Sequence, residues 1–254
     1  MMRFEENGLT LFRFTNLAGC PRLVQGVFSR LGGVSNPPFE SLNLGSAEGD
    51  QAEDVERNRR AVAACFGHRP MVWLKQVHGN DILVLKKGGP PVDFSQRPRA
   101  DAVITDIPGL MLTVKLADCQ GVLLHDPVKG VTAAVHSGWR GSVLNIIGQT
   151  INRLVTEFGC APDDIQAGIS PSLGPCCAES VNYRDELPES FQRYKDDRDH
   201  FDFWQISRDQ MTAAGLEENN IETAGLCTSC RTDLFFSYRR EGRTGRFAAV
   251  AGML

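Results

Sequence analysis

Apolar and polar positions follow two periods along this chain, and the pattern predicts more strands than helices. A helical period of apolar residues runs through 142–159, and a second helix with an acidic first turn is predicted over 50–67. Short apolar runs typical of strands occupy residues 71–79, 81–87, 101–106, 110–119, 122–126, 131–136, 165–169 and 246–254. Strands that outnumber helices without alternating with them favour an α+β fold over a doubly wound sheet. We expect one domain over residues 1–254, with a mixed β-sheet core flanked by helices.

Local signals predict where several of these elements begin and end. Asp50 is expected to cap the first helix and Gly67 to end it, while Gly159 ends the second. The two strands over 71–79 and 81–87 are expected to be joined at His78, Gly79 and Asn80.

Composition narrows the classes of partner. The 254 residues carry a net charge of −4, so a partner as acidic as nucleic acid is not expected. The N-terminus lacks a cationic head followed by an apolar stretch, and no apolar segment approaches the roughly 20 residues of a membrane span. We therefore expect a cytoplasmic protein whose eight cysteines are reduced thiols. The segments 86–100 and 194–202 are expected to be surface loops inside the single domain.

A predicted hairpin brings a thiol and an imidazole together. The runs 122–126 and 131–136 flank a four-residue connection that contains proline and glycine. If Asp126 lies opposite Val131, Cys119 and His136 fall at the same open end of the hairpin. His78, at another strand end, would complete a three-ligand set typical of zinc with one open position. The spacing matches no short zinc-finger pattern, so a turn histidine and a buried cysteine remain the alternative.

The loop 134–141, with the sequence AVHSGWRG, precedes the second predicted helix, which we expect to begin near Ser142. Amide groups at that helix N-terminus, with Arg140 beside them, would form a site for an oxyanion or a phosphate. In the alternative, Trp139 packs on the core and Arg140 pairs with a surface carboxylate. Arg30 and Asn43 lie in a glycine-rich loop and could line the same cleft, or they could be solvated.

Several classes of enzyme are excluded because their motifs are missing. Multicopper oxidases bind copper through dense His-x-His clusters, whereas this chain has five histidines and no such pair. It has no HExxH, no GxSxG and no His-x-Glu of the cytidine-deaminase type. The CTSC segment, which contains Cys227 and Cys230, has no second CxxC. Core packing or a pocket wall is therefore the expected role of that pair.

In their order, the motifs KQVHG, LADC and VHSGWRG closely resemble the bacterial laccase-domain family, once called multicopper polyphenol oxidases. The resemblance extends through SRLGGVS, SLNLG, ADAVITD, GPCC, CTSC and FFSYRREGRTGR. Members of that family are described as purine nucleoside phosphorylases and are linked to peptidoglycan editing. The resemblance implies zinc bound by His78, Cys119 and His136, and a fold related to cysteine-hydrolase toxin domains.

The same resemblance implies phosphorolysis of adenosine, guanosine, inosine and methylthioadenosine, with adenosine deamination as a second activity. Arg140 and Arg30 are then expected to hold phosphate, and Lys75, Gln76 and Asn43 to contact ribose or base. Copper is possible but not favoured, and the chain is expected to be a monomer or a homodimer. Two alternatives remain open. One is a cysteine hydrolase acting on peptidoglycan precursors, with Cys119 as nucleophile and His136 as base. The other is a non-catalytic binding protein that uses the same cleft.

Overall fold

Twelve strands are found among the residues that the computed structural model describes, which are 1–46, 49–90, 93 and 97–254. In chain order they are β1 (Met2–Glu6), β2 (Leu9–Arg13), β3 (Leu23–Phe28), β4 (Met71–Trp73), β5 (Ile82–Leu85), β6 (Ala102–Thr105), β7 (Met111–Leu116), β8 (Gln120–Asp126), β9 (Val131–Ser137), β10 (Gln166–Ile169), β11 (Ile221–Thr223) and β12 (Phe247–Met253).

The strands form two mixed sheets rather than the one sheet expected. The first sheet has the order β1–β2–β3–β12–β7–β4, and only β4 and β7 pair in parallel. The second has the order β11–β10–β8–β9–β6–β5, with parallel pairs at its two edges. Strand periodicity cannot distinguish these arrangements, because it reports which faces are buried and not which strands are neighbours.

Helices cover the outer face of each sheet. The α-helices of the described residues are α1 (Thr15–Ala18), α2 (Ala52–Ala64), α3 (Trp139–Val143), α4 (Ile146–Phe158), α5 (Tyr183–Glu186), α6 (Phe203–Ala213) and α7 (Tyr238–Glu241). Val62 of α2 packs in a cluster with residues of the first sheet, and Ile147 of α4 and Met211 of α6 pack in a cluster with residues of the second. No helix in the described ranges combines the length and apolar character needed to cross a membrane.

The two sheets share a core between their inner faces. In β12, Phe247 and Ala249 belong to this shared core, whereas Ala248 and Val250 pack with α2 on the other face. The alternation follows from the two-residue period of a strand. Gly121 lies at a close approach between the sheets, because a Cβ there would lie 2.8 Å from a Leu116 methyl carbon. Both faces of the central strands are therefore buried, which explains their nearly continuous apolar sequences.

The predicted hairpin is confirmed in its register. Asp126 lies opposite Val131, and Gln120 lies opposite Ser137 at the open end. Cys119 therefore leads into β8 at the end of the hairpin where His136 lies.

The strands predicted over 71–79 and 81–87 are shorter than expected, and the segment that joins them is longer, although it contains His78, Gly79 and Asn80 as predicted. β4 and β5 belong to different sheets, and the segment between them crosses from one sheet to the other. His78 is consequently part of a crossing, not of a hairpin turn. In the predicted surface loop 86–100, residues 91–92 and 94–96 lie outside the described part of the chain.

The ends of the predicted helices are partly confirmed. Gly159 ends α4 with φ +67°, as expected. Asp50 does not cap α2, because Gln51 occupies that position and Asp50 instead accepts a hydrogen bond from the side chain of Asn43. The helix predicted over 142–159 is broken at Asn145, which has a left-handed backbone and caps α4. The apolar period continues across this break, so periodicity could not reveal it.

The break at Asn145 leads to a test of stability. Its φ is +53°, and its side chain accepts a hydrogen bond from the amide of Gly148 at 3.1 Å. Asn145→Ala removes the cap and places an alanine in a left-handed conformation, so we expect a loss of about 2 kcal/mol in the free energy of unfolding. Asn145→Gly keeps the backbone conformation accessible and should lose less than about 1 kcal/mol. Urea unfolding measures both variants, and equal losses would contradict the role of the backbone conformation.

Candidate functional site

Three side chains that could hold one metal ion meet at the open end of the β8–β9 hairpin. The ligand atoms of His78, Cys119 and His136 all lie within 4.8 Å of one another. The hairpin supplies Cys119 and His136, and the β4–β5 crossing supplies His78. The two imidazole rings pack edge to face with centroids 4.9 Å apart. The grouping that the hairpin signal predicted is therefore present in the fold.

A buried carboxylate positions both histidines. Asp101 lies directly before β6, and its Oδ1 is 2.9 Å from Nδ1 of His136. Asp101 also accepts hydrogen bonds from the backbone amides of Val77, His78 and Gly79, at 2.8 to 3.2 Å. These bonds hold the crossing while His78 adopts a φ of +59°, which is uncommon for a residue other than glycine. Because Nδ1 of His136 is occupied by Asp101, Nε2 is the nitrogen available to a metal.

The thiol and the imidazole form a coupled pair. Burial opposes ionisation of Cys119, but the charge and hydrogen bond of His136 outweigh it and lower the pKa of the thiol. Burial opposes protonation of His136, but the Cys119 thiolate and the hydrogen bond to Asp101 raise the pKa of the imidazole. A cysteine binds a metal as the thiolate, and a histidine binds one as the neutral imidazole. A protonated His136 must therefore lose one of its two ring protons before it can bind a metal. Metal binding at this group is therefore coupled to proton release.

The surroundings of Cys119 leave little freedom for its position. Asp118 accepts hydrogen bonds from the Thr228 hydroxyl and from the Arg239 amide, each at 2.7 Å. On the other side, a Cβ at Gly138 would lie 2.7 Å from the Cys119 sulfur and 3.4 Å from Cδ2 of His78. Glycine at this position leaves room for the thiol and the imidazole.

The donor set fits a single metal ion. Two imidazole nitrogens and one thiolate are ligands typical of zinc, and a three-residue set leaves one position open. The Asp101–His136 hydrogen bond is the kind of outer contact that fixes the tautomer and orientation of a metal-binding histidine. The residues therefore satisfy both the ligand chemistry and the support that such a site requires.

The group opens into a cavity of about 820 Å³, within the usual range for small-molecule sites. The cavity lining combines positive charge with aromatic surface. Five lining side chains are cationic, two are carboxylates and three are aromatic rings: Lys75, Arg97, Lys115, Arg239 and Arg246; Asp118 and Glu179; Trp139, Phe203 and Tyr238.

Comparison with known families identifies the class of protein that contains this site. Residues 24–254 match the family described as multi-copper polyphenol oxidoreductase laccase. The chain belongs to this laccase-like family. The resemblance carried by the sequence motifs is therefore confirmed.

Curated relatives of the laccase-like chain are named purine nucleoside phosphorylases. The chain is 35% identical to YlmD of Geobacillus stearothermophilus over 246 residues, which covers 90% of this chain and 89% of that protein. It is 36% identical to YfiH of Escherichia coli K12 over 238 residues, which covers 89% and 92% of the two proteins.

Crystal structures show the same fold within the family. The hypothetical protein YfiH of Bacillus licheniformis matches with a TM-score of 0.87 at 28% identity, covering 98% of both chains. YlmD of Geobacillus stearothermophilus matches with a TM-score of 0.85 at 32% identity, covering 97% of this chain and 96% of that one. The arrangement of two mixed sheets flanked by helices is thus shared with solved relatives.

Two of the four predicted substrate residues lie at the cavity. Lys75 and Gln76 line it, whereas Arg30 and Asn43 are not among its lining residues. Gln76 pairs both atoms of its amide with the backbone of Lys115, at 2.8 and 2.9 Å, and thereby holds the crossing against β7.

Arg30 and Asn43 hold the glycine-rich loop in place. Arg30 forms an ion pair with Glu241 at 2.7 Å and lies over the ring of Phe236. Asn43 is fully buried and bonds to Asp50 and to the backbone of Gly45. Their predicted contacts with substrate are therefore not provided by this geometry.

Arg140 also lies outside the cavity lining. The predicted helix start near Ser142 is wrong, because α3 already begins at Trp139 after the extended backbone of Gly138. Arg140 is thus inside α3, and its exposed guanidinium lies over the Trp139 ring at 4.9 Å from the centroid. Arg140 therefore lies in the first turn of a short helix and not before a long one, and the anion site there stays a prediction.

Other residues of the site were not found from the sequence. Asp101 lies in the ADAVITD motif, but its contact with His136 depends on the pairing of β6 with β9, which no local signal predicts. Arg239 and Arg246 lie in the FFSYRREGRTGR motif, which carried the resemblance without a role for either arginine.

The close approach at Gly138 leads to a test of the metal group. Gly138→Ala should displace Cys119 or His78 and lower metal content at least tenfold, because the new methyl would overlap the sulfur. Gly79→Ala is the matched control in the same site, since a Cβ there would meet Asp101 and Val77 at an ordinary 3.6 Å. Metal analysis of the purified variants is the measurement. A Gly138→Ala protein as rich in metal as the control would contradict the geometry.

Proposed function

We propose that this chain is a zinc-containing purine nucleoside phosphorylase with adenosine deamination as a second activity. Its substrates would be adenosine, guanosine, inosine or methylthioadenosine together with phosphate, and its products a purine base and a sugar 1-phosphate. The observation that carries the proposal is the cavity, which joins a metal-ligand group to a cationic and aromatic lining. The names of the curated relatives support the same reaction class.

His78, Cys119 and His136 would hold the zinc ion. A zinc ion bound there would supply the Lewis-acid chemistry that deamination requires. Copper is not favoured as the resident metal, because the chain has five histidines and no His-x-His pair from which a multicopper centre could be built.

The lining side chains match the two substrates of phosphorolysis, the purine nucleoside and the phosphate. Aromatic rings such as Trp139 and Tyr238 offer faces on which a purine can stack. In phosphorolysis a phosphate oxygen bonds to C1′ of the sugar while the bond from C1′ to the purine nitrogen breaks. The electron pair of that bond goes to the purine. Fixed cations near the phosphate hold the nucleophile in place without needing to reorganise.

The cations of the cavity are better placed for phosphate than Arg140. Lys75 is exposed and lies three positions before His78, so its ammonium group is the first candidate. Arg246 lies close to the end of β7, because its neighbour Phe247 pairs with Leu116, the last residue of that strand. We therefore propose Lys75 and Arg246 as phosphate contacts, and we assign Arg140 to the support of Trp139.

A cysteine hydrolase is the second candidate, and one observation favours it. Cys119, His136 and Asp101 follow one another by hydrogen bonds, as nucleophile, base and orienting carboxylate do in hydrolases. The likeness to cysteine-hydrolase toxin domains stays a prediction. His78 has no place in that relay, and its position beside both other groups favours a metal ligand set. Catalysis by metal-free protein that is lost on alkylation of Cys119 would support the hydrolase.

The proposed reaction is tested with purified protein on a panel of nucleosides, with and without phosphate. Adenosine should give adenine and ribose 1-phosphate only when phosphate is present. Deamination of adenosine to inosine should occur with or without phosphate. Cys119→Ala and His136→Ala should remove the metal and lower deamination at least 100-fold, because each removes a ligand. Release of adenine at the same rate without phosphate would contradict phosphorolysis.

A pair of variants tests where phosphate binds. Lys75→Ala removes a charged contact worth about 1.5–3 kcal/mol, so the KM for phosphate should rise roughly 10- to 150-fold. Deamination should change little, because it uses no phosphate. Arg140→Ala is the matched control, and its KM for phosphate should change less than about threefold because the guanidinium is exposed on Trp139. Metal content should be unchanged in both. A larger rise in the KM for phosphate from Arg140→Ala would contradict this proposal and would indicate that phosphate binds at α3.

A further inference from the structure

Four cysteines form a second cluster, apart from the His78 group. Cys176 and Cys177 lie in the loop after β10, and Cys227 and Cys230 lie in the turn after β11. All four sulfur atoms lie within 4.8 Å of one another. The Cys230 sulfur is 3.6 Å from that of Cys176 and 3.5 Å from that of Cys177. The spacing of the cysteines in the sequence did not reveal the cluster. One pair is adjacent and the other has the form CxxC, so the two pairs do not form a repeated CxxC motif.

These distances suit four thiolates around a single ion. Zinc bonds to sulfur at about 2.3 Å, so the sulfurs of a tetrahedral site are about 3.8 Å apart. A disulfide requires a sulfur–sulfur distance of about 2.05 Å, well below the 3.6 and 3.5 Å from the Cys230 sulfur to those of Cys176 and Cys177. An iron–sulfur cluster places its cysteine ligands on different irons and so needs the sulfurs further apart. The spacing therefore fits a mononuclear site.

The backbone of both loops is arranged to hold the sulfurs. Ser172 and Cys227 form a parallel bridge between the two segments. The amide of Cys177 donates to the carbonyl of Gly174 at 2.9 Å, and the amide of Arg231 donates to the carbonyl of Cys227 at 3.0 Å, so each cysteine pair lies in a tight turn. A Cβ at Gly174 would lie 3.1 Å from Cβ of Cys227, so glycine permits the close contact of the turns.

Two backbone amides are directed at the Cys227 sulfur. They belong to Gly174 and Cys230, and both donate hydrogen bonds to that sulfur. Amides directed at the sulfur of a CxxC turn are the kind of outer contact that supports metal-binding thiolates. Four thiols packed together repel one another when ionised, and a bound dication offsets that repulsion.

We propose that Cys176, Cys177, Cys227 and Cys230 bind one zinc ion as a closed, structural tetrathiolate site. All four ligands come from the protein, so no position is left for substrate, unlike the three-ligand group at the cavity. The proposal is independent of the reaction that the cavity performs.

The second site would brace one wall of the cavity. Leu173 and Glu179, on either side of the first cysteine pair, line the cavity. Thr228, inside the second pair, donates to Asp118, which precedes Cys119. A metal that fixes the two turns would thus fix the approach to the cavity metal group without contacting it.

Zinc counting in single and double variants tests the proposal. Wild-type protein purified under reducing conditions without chelator should carry about two zinc ions per chain. Cys119→Ala and Cys230→Ser should each carry about one, and the double variant almost none. Cys20→Ser is the matched control, because Cys20 is a lone half-buried thiol, and it should keep both ions. Cys230 is chosen because its exposed position makes failure to fold less of a concern than at Cys227.

Cobalt gives a readout that does not depend on activity. In the Cys119→Ala background, Co²⁺ should produce intense sulfur-to-cobalt absorption and the visible bands of a tetrahedral ion. Both should be lost when Cys230→Ser is added. One zinc per chain in wild type, with none left in Cys119→Ala, would overturn the proposal. Iron in place of zinc would also overturn it, as would disulfides among the four cysteines under reducing conditions.

Discussion

The carboxylate of Asp101 accepts hydrogen bonds from three backbone amides and faces one imidazole, and it is fully buried. A buried carboxylate without partners would cost several kcal/mol, so these donors are required wherever the charge is kept. The bonds join the end of β9 to the β4–β5 crossing, which belong to distant parts of the chain. The positions of His136 and His78 therefore depend on the same group. Replacing Asp101 would therefore disturb both imidazoles at once.

The same carboxylate supports two chemical interpretations, and the position of His78 favours one of them. With only Cys119 and His136 beside Asp101, the relay would suit a thiol nucleophile. The third group, held with a left-handed backbone by the Asp101 bonds, lies within 4.8 Å of the other two ligand atoms, so the three could hold one metal ion. His78 adopts an unfavourable backbone conformation, and in that conformation its imidazole lies beside the thiol. A hydrolase would instead keep that thiol accessible to its substrate. This is the physical reason for preferring a metal site at the cavity.

How far the sequence predicts the molecule depends on the range of the interaction. The β8–β9 hairpin is local, so its turn gave the correct register and brought Cys119 and His136 together. Two sheets were not foreseen, because strand patterns do not identify neighbours. Asp101 and the four clustered cysteines were missed for the same reason, since the pairing of β6 with β9 and the bridge from Ser172 to Cys227 join distant segments. Asn145 is different, because its break is local but leaves the apolar period intact.

Net charge excludes a class of partner only when the partner covers much of the surface. The net charge of −4 is the reason why nucleic acid, whose backbone requires a basic face, is not the expected partner. A single phosphate needs only a few cations, and five cationic side chains line one cavity. The acidic balance of the rest of the surface does not oppose this, since solvent and salt screen charges beyond about 10 Å. The phosphate binding that we propose would therefore be a property of the cavity lining, which the overall composition does not reveal.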